Sequence, residues 1–421
     1  MGDPPHLLFV APILPAATGN GLAMRAGVFL DALARDFAVT LLVIPVAGGH
    51  AGALPPFVAG RARRVVTASL DRVLDPLWNL SARLRDPAAR AAAIAAYPRP
   101  ALCRFATTPL REEVTAALAG ERYAAVHVMR SYLAPYAAPF LPAAGAATPF
   151  ASLDLDDDEA ATHARLAALA ARCGAADDAR VATAEAAKYE RHEAQWLPQF
   201  RLLLACADLH ARKLAAAHPG CRTGVVPNTI ALPPPPPARP PAPAGRILFV
   251  GNLSYLPNVE GIRGFVRDVW PRLRATPGDA VTLRIAGSAP AREIAALAAL
   301  PGIELVPDPP AMEPHYAWAD LAVIPLAAGG GTRIKLLEAF AHGVPVVATT
   351  IGAEGVPAQD GVHLLLADSA ADFAQACAEL LRDAPFAQRL AANARGLVEA
   401  GYAHAHGVAI IREHFRQCHG A

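Results

Sequence analysis

The chain has 421 residues, 54% of them hydrophobic, and a formal net charge of +1. At that length one core does not suffice, so two domains are expected. The near-neutral charge leaves no nucleic-acid footprint, and no uncharged apolar run reaches the roughly 18 residues of a membrane span.

The N-terminus, MGDPPHLLFVAPILP, has no basic residues ahead of its apolar part and reads as a first strand, not as a secretory signal. TGNGLAMRAGVFLDALARDF then reads as a glycine-initiated amphipathic helix. AVTLLVIPV, YAAVHVM and TPFASLDLD read as further strands. Strands alternating with helices predict a parallel sheet covered on both faces. The six cysteines form no C-x-x-C pair and read as reduced core thiols of a cytoplasmic protein.

Between residues 61 and 111 arginines recur, among them Arg61, Arg64, Arg83, Arg85 and Arg90, opposed only by Asp71, Asp75 and Asp86. Leu77, Trp78, Leu80 and Leu84 are interleaved with them. One reading is a basic amphipathic patch that touches anionic lipid at the inner face of the membrane, or an acidic acceptor. The other is a solvated helical face.

Near residue 228 the alternation stops, and ALPPPPPARPPAPAG over 231–245 reads as an extended polyproline spacer. The pattern then restarts. GRILFVGNL is a strand meeting a turn at Gly251, NVEGIRGFVRDVWPRL is a helix, and VTLRIAGSAP, IELVPDP, LAVIPLA and VPVVATT are strands. The expected organisation is an N-terminal domain over 1–228, a linker over 229–245 and a C-terminal domain over 246–399. A last helix, about 400–421, is a candidate to pack back on the first domain. Open α/β sheets bind ligands at the C-terminal ends of their strands.

GGGTRIKLLEAFAHG, residues 329–343, is the most informative stretch. Gly329, Gly330 and Gly331 form the turn after a strand, and glycine there lets backbone amides approach a ligand closely. The helix that follows, expected from Thr332, presents amide donors and the positive end of its dipole. Thr332, Arg333 and Lys335 add a hydroxyl and two cations. Lys335 is one of only three lysines in the chain. A diphosphate fits this set, although the spacing is neither a Walker motif nor G-x-G-x-x-G. A tight structural turn with two solvated cations is the other reading. Glu338, among Leu336, Leu337, Ala339 and Phe340, must be partnered or exposed. It suits the two hydroxyls of a ribose, or caps a neighbouring backbone group.

PLAAGGGTRIKLLEAFAHGVPVVATTIGAEGV, together with ILFVGNLSYLPNVEGIRGFVRDVWP, LRIAGSAP and VVPNTI upstream, resembles the group-1 (family 4) glycosyltransferases. The resemblance is looser in the first half, where it rests on LPAATGNGLAMRAGVFLDALA. It implies the GT-B fold: two Rossmann-like, doubly wound α/β domains facing each other across a cleft. It further implies a retaining enzyme that takes a nucleotide diphosphate sugar as co-substrate; with the glycine loop, Arg333 and Lys335 to neutralise the leaving diphosphate, no metal or other cofactor is expected. The donor would lie on the C-terminal half and a glycan, lipid-linked or small-molecule acceptor on the N-terminal half. Glu338 matches the second glutamate of the family's E-x7-E motif, which binds the ribose. The first would fall at Gly330 and is missing. Asn252 and Asn258 stand where relatives often carry an Arg and a Lys that grip the diphosphate. Arg333 and Lys335 are expected to supply that charge instead.

In the N-terminal half, Gly19, Asn20 and Gly21 match the loop that faces the donor phosphates, and Arg25 adds charge one turn later. Asp154 falls where some relatives carry a histidine near the reacting sugar. With Asp156 and Asp157 it is expected to orient the acceptor or to stabilise charge on the sugar ring. Helix capping is the competing role for Asp157 and Asp158. Arg130 ends a strand and is a further acceptor candidate, whereas His127 is expected in the core. The D-x-D at 154–156 admits a rival reading, a metal-dependent transferase of the other common fold. His404, His406 and His414 are discounted as a metal site, since residues two apart do not share a helical face. The expected function is that of a glycosyltransferase of polysaccharide or glycoconjugate biosynthesis. An epimerase or hydrolase of the same fold, or a non-catalytic nucleotide-sugar binder, stays open.

Overall fold

The computed structural model describes residues 3–48, 52–70, 75–142, 149–235, 245–275 and 281–419. The chain forms two compact units, one of Met1–Ala231 with His404–Ala421 and the other of Leu232–Ala403. Most of the proline spacer, 236–244, lies outside the described residues, as do 71–74 within the arginine-rich segment.

The first unit is built on a seven-stranded sheet in the order β3-β2-β1-β4-β5-β6-β7. All of its pairings are parallel. β1 (His6–Ala11), β2 (Ala38–Val43), β4 (Ala125–Met129) and β5 (Phe150–Asp156) occupy its centre and are almost wholly buried. That is why they read as continuous apolar runs. The period of two still divides their side chains. Leu8 and Val10 enter the core on one face, while Leu7 and Phe9 enter the core on the other.

β3 (Ala62–Thr67), β6 (Leu202–Ala205) and β7 (Arg222–Val225) complete the sheet. The sequence patterns above did not mark them. β3 is an edge strand whose arginines face out, and it disguises itself as part of a basic segment. Arg64 of β3 pairs with Glu121 at 2.8 Å, and nearby Arg61 pairs with Asp31 at 2.7 Å. Arg99 pairs with Asp75, and Arg104 lies over the rings of Trp78 and Phe105. The segment 61–111 is therefore not one continuous basic face.

The last helix, His404–His419, belongs to this unit. Its Phe415 ring meets Phe37, Phe150 and His127, and Arg412 pairs with Asp36 at 2.7 Å. His404 contacts Asp31 at 3.1 Å and His414 contacts the carbonyl of Val225, so neither shares a metal site. His127 is fully buried between Phe9 and Phe29, with Nδ1 2.9 Å from Ser152 Oγ.

The second unit carries a six-stranded parallel sheet in the order β10-β9-β8-β11-β12-β13. β8 (Gly245–Val250), β9 (Val281–Gly287), β10 (Ile303–Pro307), β11 (Leu321–Ile324) and β12 (Val346–Ala348) fall within the runs read from the sequence. β13 is only Leu365–Leu366, too short for a pattern to show. In both sheets the strand order reverses beside the first strand of the unit, β1 or β8. That is the switch point at which a doubly wound sheet opens to a ligand.

Candidate functional site

In the second unit the chain leaves β11 and bends through Gly329 (φ 125°) and Gly331 (φ 67°). Side chains avoid these angles, and a Cβ at Gly329 would also lie 2.9 Å from Arg333 Nη1. The helix begins at Ile334, not at Thr332 as the sequence suggested, and runs to Ala341. Arg333 is its extended N-cap residue, and its side chain turns back to the carbonyls of Gly330 and Ile351. The bend consumes the two residues that a pure helix reading would have placed in the first turn. At the far end, Gly343 takes φ 61°, its amide donates to Phe340 O, and the amide of Val344 donates to Ala339 O. This double closure stops the helix after eight residues.

Lys335 extends from the first turn toward the end of β8. Its Nζ donates to Asn258 Oδ1 at 2.7 Å and lies 4.8 Å from the centre of the Phe249 ring. Asn258 in turn donates to the carbonyl of Asn252 at 2.8 Å, and Asn252 Oδ1 holds the amide and hydroxyl of Ser254. Gly251 is the floor of this arrangement. A Cβ there would fall 2.8 Å from both Asn258 Nδ2 and Lys335 Nζ. The two asparagines thus meet the lysine, and Asn258 is the group that orients it. Arg333 goes elsewhere, so the two cations expected to act side by side part company at the bend.

The electrostatics of this corner are unbalanced. Burial, with Arg333 nearby, pulls the Lys335 ammonium down to about 7, and Glu338 opposes only in part. Thr332 is buried, and its hydroxyl has no hydrogen-bond partner among the described residues. A buried unpaired polar group of this kind costs about 1–3 kcal/mol. An anion seated at the bend would relieve both.

Glu338 sits one turn further along and is half-buried. Burial pushes its carboxyl up. The hydroxyl of Tyr316, which donates to Oε2 at 2.8 Å, and Lys335 pull it back. Tyr316 is itself buried, with its ring stacked on His342 at 4.8 Å and 8° between planes. The sequence reading missed Tyr316. It stands in the short helix Glu313–Trp318, whose pattern gives no hint that one ring reaches the site.

In the first unit, Gly19 takes φ 101° and the side chain of Asn20 caps the helix Gly21–Leu33, accepting from Leu22 N at 2.9 Å. A Cβ at Gly27 would lie 2.1 Å from Ala16 O, so this glycine lets the preceding loop lie on the helix. Arg25, expected to add charge beside the Gly19–Gly21 loop or toward an acceptor, and Asp154, expected at the reacting sugar, are instead both sealed inside the unit. Arg25 is 3% exposed and Asp154 is 0% exposed. Arg25 donates to both oxygens of Asp154, at 2.7 and 2.6 Å, and reaches Val226 O and Asn228 Oδ1 at 2.9 Å. Burial works against the charge on Arg25, but Asp154 and Asp156 overcome it and hold the guanidinium above its ordinary range. With both Asp154 oxygens so occupied, the aspartate pair offers no cation site. Among the described residues no group of three His, Cys, Asp or Glu is placed to hold a metal.

Asp156 and Arg130 lie further out, at the ends of β5 and β4. Both have positive φ, 59° and 72°, and they pair at 3.3 Å. The ladder from β5 to β6 slips between Asp154 and Asp156, which turns Asp156 out of the strand. Arg130 also pairs with Glu159 at 3.2 Å. Strain at two neighbouring strand ends, held by ion pairs, is the kind of backbone expense that clusters at functional sites. Asp158, not Asp157, caps the helix Glu159–Arg172, accepting from Ala161 N at 2.9 Å. Asp157 accepts from Thr162 Oγ1, and burial with Glu159 raises it to about 6.

Residues 244–383, which contain the glycine bend and Glu338, match the family model described as glycosyl transferases group 1. A protein of *Klebsiella pneumoniae* described as an uncharacterized 44.6 kDa protein in the cps region is 27% identical over 164 residues, 37% of this chain and 42% of that protein. The chain is thus matched over less than half the length of that relative. The fold as a whole is similar to sucrose-phosphate synthase from *Thermosynechococcus elongatus*, with a TM-score of 0.66 and 14% identity over 98% of both chains. It is also similar to *Anabaena* Alr3699/HepE in complex with UDP-glucose, with a TM-score of 0.60 and 15% identity over 98% of this chain and 100% of that one. A glycosyltransferase from *Rickettsia africae* gives a TM-score of 0.60 and 11% identity over 99% of both. Two parallel-sheet Rossmann-like units make this a GT-B fold, and residues 244–383 are similar to the group 1 glycosyltransferases.

Proposed function

We propose that the protein transfers a sugar from a nucleotide diphosphate sugar to an acceptor hydroxyl, with the donor on the second unit and the acceptor on the first. The observation that carries this reading is that residues 329–335 bring together the Gly329–Gly331 bend, a Thr332 hydroxyl unpartnered among the described residues, and Lys335 with its pKa drawn down to about 7. A diphosphate there gains the first amides of the helix Ile334–Ala341, the hydroxyl and the ammonium, with Glu338 one turn away for the ribose.

As the bond from sugar to phosphate breaks, negative charge grows on the leaving diphosphate. The bend and Lys335 are fixed where that charge appears, which is electrostatic catalysis by groups already in place. That cation supports a metal-independent reaction. Retention of configuration, by attack on the face that the phosphate leaves, is part of the proposal. In the first unit, Asp156 and Asp157 orient the acceptor hydroxyl, Arg130 holds Asp156, and Arg25 with Asp154 supports them from beneath.

The acceptor is proposed to be a glycan or lipid-linked glycan of polysaccharide or glycoconjugate assembly. The *Anabaena* protein solved with UDP-glucose and the relative from a cps region point the same way. Part of the arginine-rich segment also supports a membrane-facing acceptor. Leu77, Leu80 and Leu84 are 51%, 67% and 40% exposed, with Arg83 and Arg85 exposed beside them. Leucines with arginines of this kind suit an anionic lipid surface. No helix among the described residues is long and apolar enough to cross a membrane.

The test is a panel of nucleotide sugars with and without glycan acceptors, in buffer with a chelator, with the product anomer read by NMR. Transfer with the donor's configuration kept is expected. Acceptor-free conversion would make the protein an epimerase or hydrolase. Binding without turnover would make it a nucleotide-sugar binder, the reading that Gly330 in place of an acid favours. Co-sedimentation with anionic vesicles, lost in Leu77→Ser with Leu80→Ser, checks the lipid contact.

A further inference from the structure

Arg61, Arg64 and Arg99 of the first unit each pair with a carboxylate. Arg104 and Arg111, three residues before and four after Thr107, do not. Arg104 donates to Ala101 O at 2.7 Å and lies over the rings of Trp78 and Phe105, and burial pulls its guanidinium below the ordinary arginine value. Glu185, whose charge reaches it, is already spent on Lys188 and on the Ala101 amide. Arg111 donates to Thr108 Oγ1 at 3.3 Å, and its Nε is buried with no hydrogen-bond partner among the described residues. Thr107 is the N-cap residue of the helix Thr108–Ala117 and is 8% exposed, yet its side chain caps no amide. A threonine in that position ordinarily accepts from the first turn. Pro109 has no N–H, so this helix start presents the amides of Thr108 and Leu110 beside the unused hydroxyl. No acid stands in the first turn, and Glu112 and Glu113 follow on the exposed side.

From this arrangement we infer that Thr107, Arg111 and Arg104 form an anion site on the first unit that takes a phosphoryl group carried by the acceptor. The inference rests on the proposed placing of the acceptor on this unit, and it names the acceptor's chemistry: a sugar phosphate or a lipid-linked sugar diphosphate, not an uncharged glycan. A guanidinium backed by aromatic rings, with donors still unspent, suits phosphate oxygens, and a helix start adds amides and the positive end of its dipole. Holding such cations half-buried without acids is costly, and an anion from outside offsets that cost. The position agrees. The helix leads into β4, so in this parallel sheet it starts at the edge where the strands end. Tyr136, beyond the end of β4, ties the turn there by donating to Phe105 O at 2.5 Å. The donor's own diphosphate is assigned to the second unit, so the two anions do not compete for one seat.

The experiment measures, by calorimetry, the binding of inorganic pyrophosphate, geranyl diphosphate and glucose 6-phosphate with a nucleoside diphosphate already at saturation. The wild-type protein and Arg111→Gln are compared, with circular dichroism to check folding. The wild-type protein is expected to bind at least one of these probes, and Arg111→Gln to bind it about ten- to a hundred-fold more weakly, as for a lost hydrogen bond to a charged group. Nucleoside diphosphate affinity is expected to be equal in the two proteins. Tighter binding of geranyl diphosphate than of glucose 6-phosphate assigns the phosphoryl group to a lipid-linked acceptor, and the reverse assigns it to a soluble one; both support the site. Binding of no probe, or equal binding by Arg111→Gln, overturns the inference. So does a loss of co-sedimentation with phosphatidylglycerol vesicles in Arg111→Gln while the probes bind unchanged, which would give the arginine to the membrane surface. If no nucleoside diphosphate binds, the seat at the glycine bend falls, and the probes, titrated alone, still decide this site. Should Arg111→Gln fail to fold, Arg111→Lys keeps the charge and loses the fork. A smaller loss confined to the phosphoryl probes is then expected, and no selective loss overturns the inference.

Discussion

The two units gather charge at the ends of similar parallel sheets and use it in opposite ways. In the first, Arg25 is enclosed by Asp154, Asp156, Asn228 and the Val226 carbonyl, so its donors are spent inside the protein. In the second, Lys335 has a neutral amide for its partner, Arg333 for a neighbour and a pKa drawn down to about 7. A cation satisfied by buried carboxylates holds a fold together, whereas a cation left with a neutral partner is poised for an anion from outside. The comparison shows why an arginine and a lysine near the starts of two helices, equally suggestive in a sequence, differ in what they can bind.

The largest expected effect breaks the first half of the comparison. Arg25→Ala leaves Asp154 buried and unpaired, and removing one partner of such a pair costs about 3–5 kcal/mol. Chemical denaturation should show that loss, while nucleoside diphosphate affinity of the protein that remains folded stays near the wild-type value. An Arg25→Ala protein as stable as the parent would mean that the cluster is not the structural device described here.

Lys335→Ala reverses the pattern. The nucleoside diphosphate should bind about ten- to a hundred-fold more weakly, as when a hydrogen bond to a charged group is lost, with little change in stability. Equal binding by this variant in calorimetry would remove the lysine from the phosphate seat.

The pH dependence sharpens the same point. A bound diphosphate favours the charged ammonium, so binding takes up a proton wherever Lys335 is neutral in the free protein. With its pKa near 7, affinity should rise as pH falls from 9 to 7, by up to about ten-fold per unit. It should level off once the lysine is already charged. Arg333 and Glu338 face the same ammonium, and neither changes this sign. Lys335→Arg, which stays charged throughout, should flatten the slope. A slope that persists in that variant would assign the proton to another group.

Asn258→Ala should have the smallest effect, a few-fold loss of affinity on the scale of one neutral hydrogen bond. It leaves the lysine charge in place and removes only the group that aims it.

The patterns in the sequence reached the central strands of both sheets because those strands are buried on both faces and read as unbroken apolar runs. They did not reach β3, β6, β7 or β13. An edge strand bearing Arg63 and Arg64, two four-residue strands and a two-residue strand present too short or too polar a pattern. The glycines at 329 and 331 were legible as a bend because only a positive φ calls for glycine in such a place. The partners were not legible. Asn258 lies 77 residues from Lys335, and Tyr316 lies 22 from Glu338. Asp154 looked like a strand-end acid open to substrate, and only the depth of β5 and the reach of Arg25 from a distant helix show it to be sealed.

By itself, then, the sequence determined where the chain repeats strand and helix, where it must bend, and that a short helix follows the bend with Lys335 and Glu338 one turn apart. These are properties of neighbours along the chain, set by backbone sterics and by the period of the apolar residues. Which charges are spent and which are left for a ligand was decided by the tertiary structure alone. That outcome depends on burial and on partners brought from remote elements, and no local pattern encodes either.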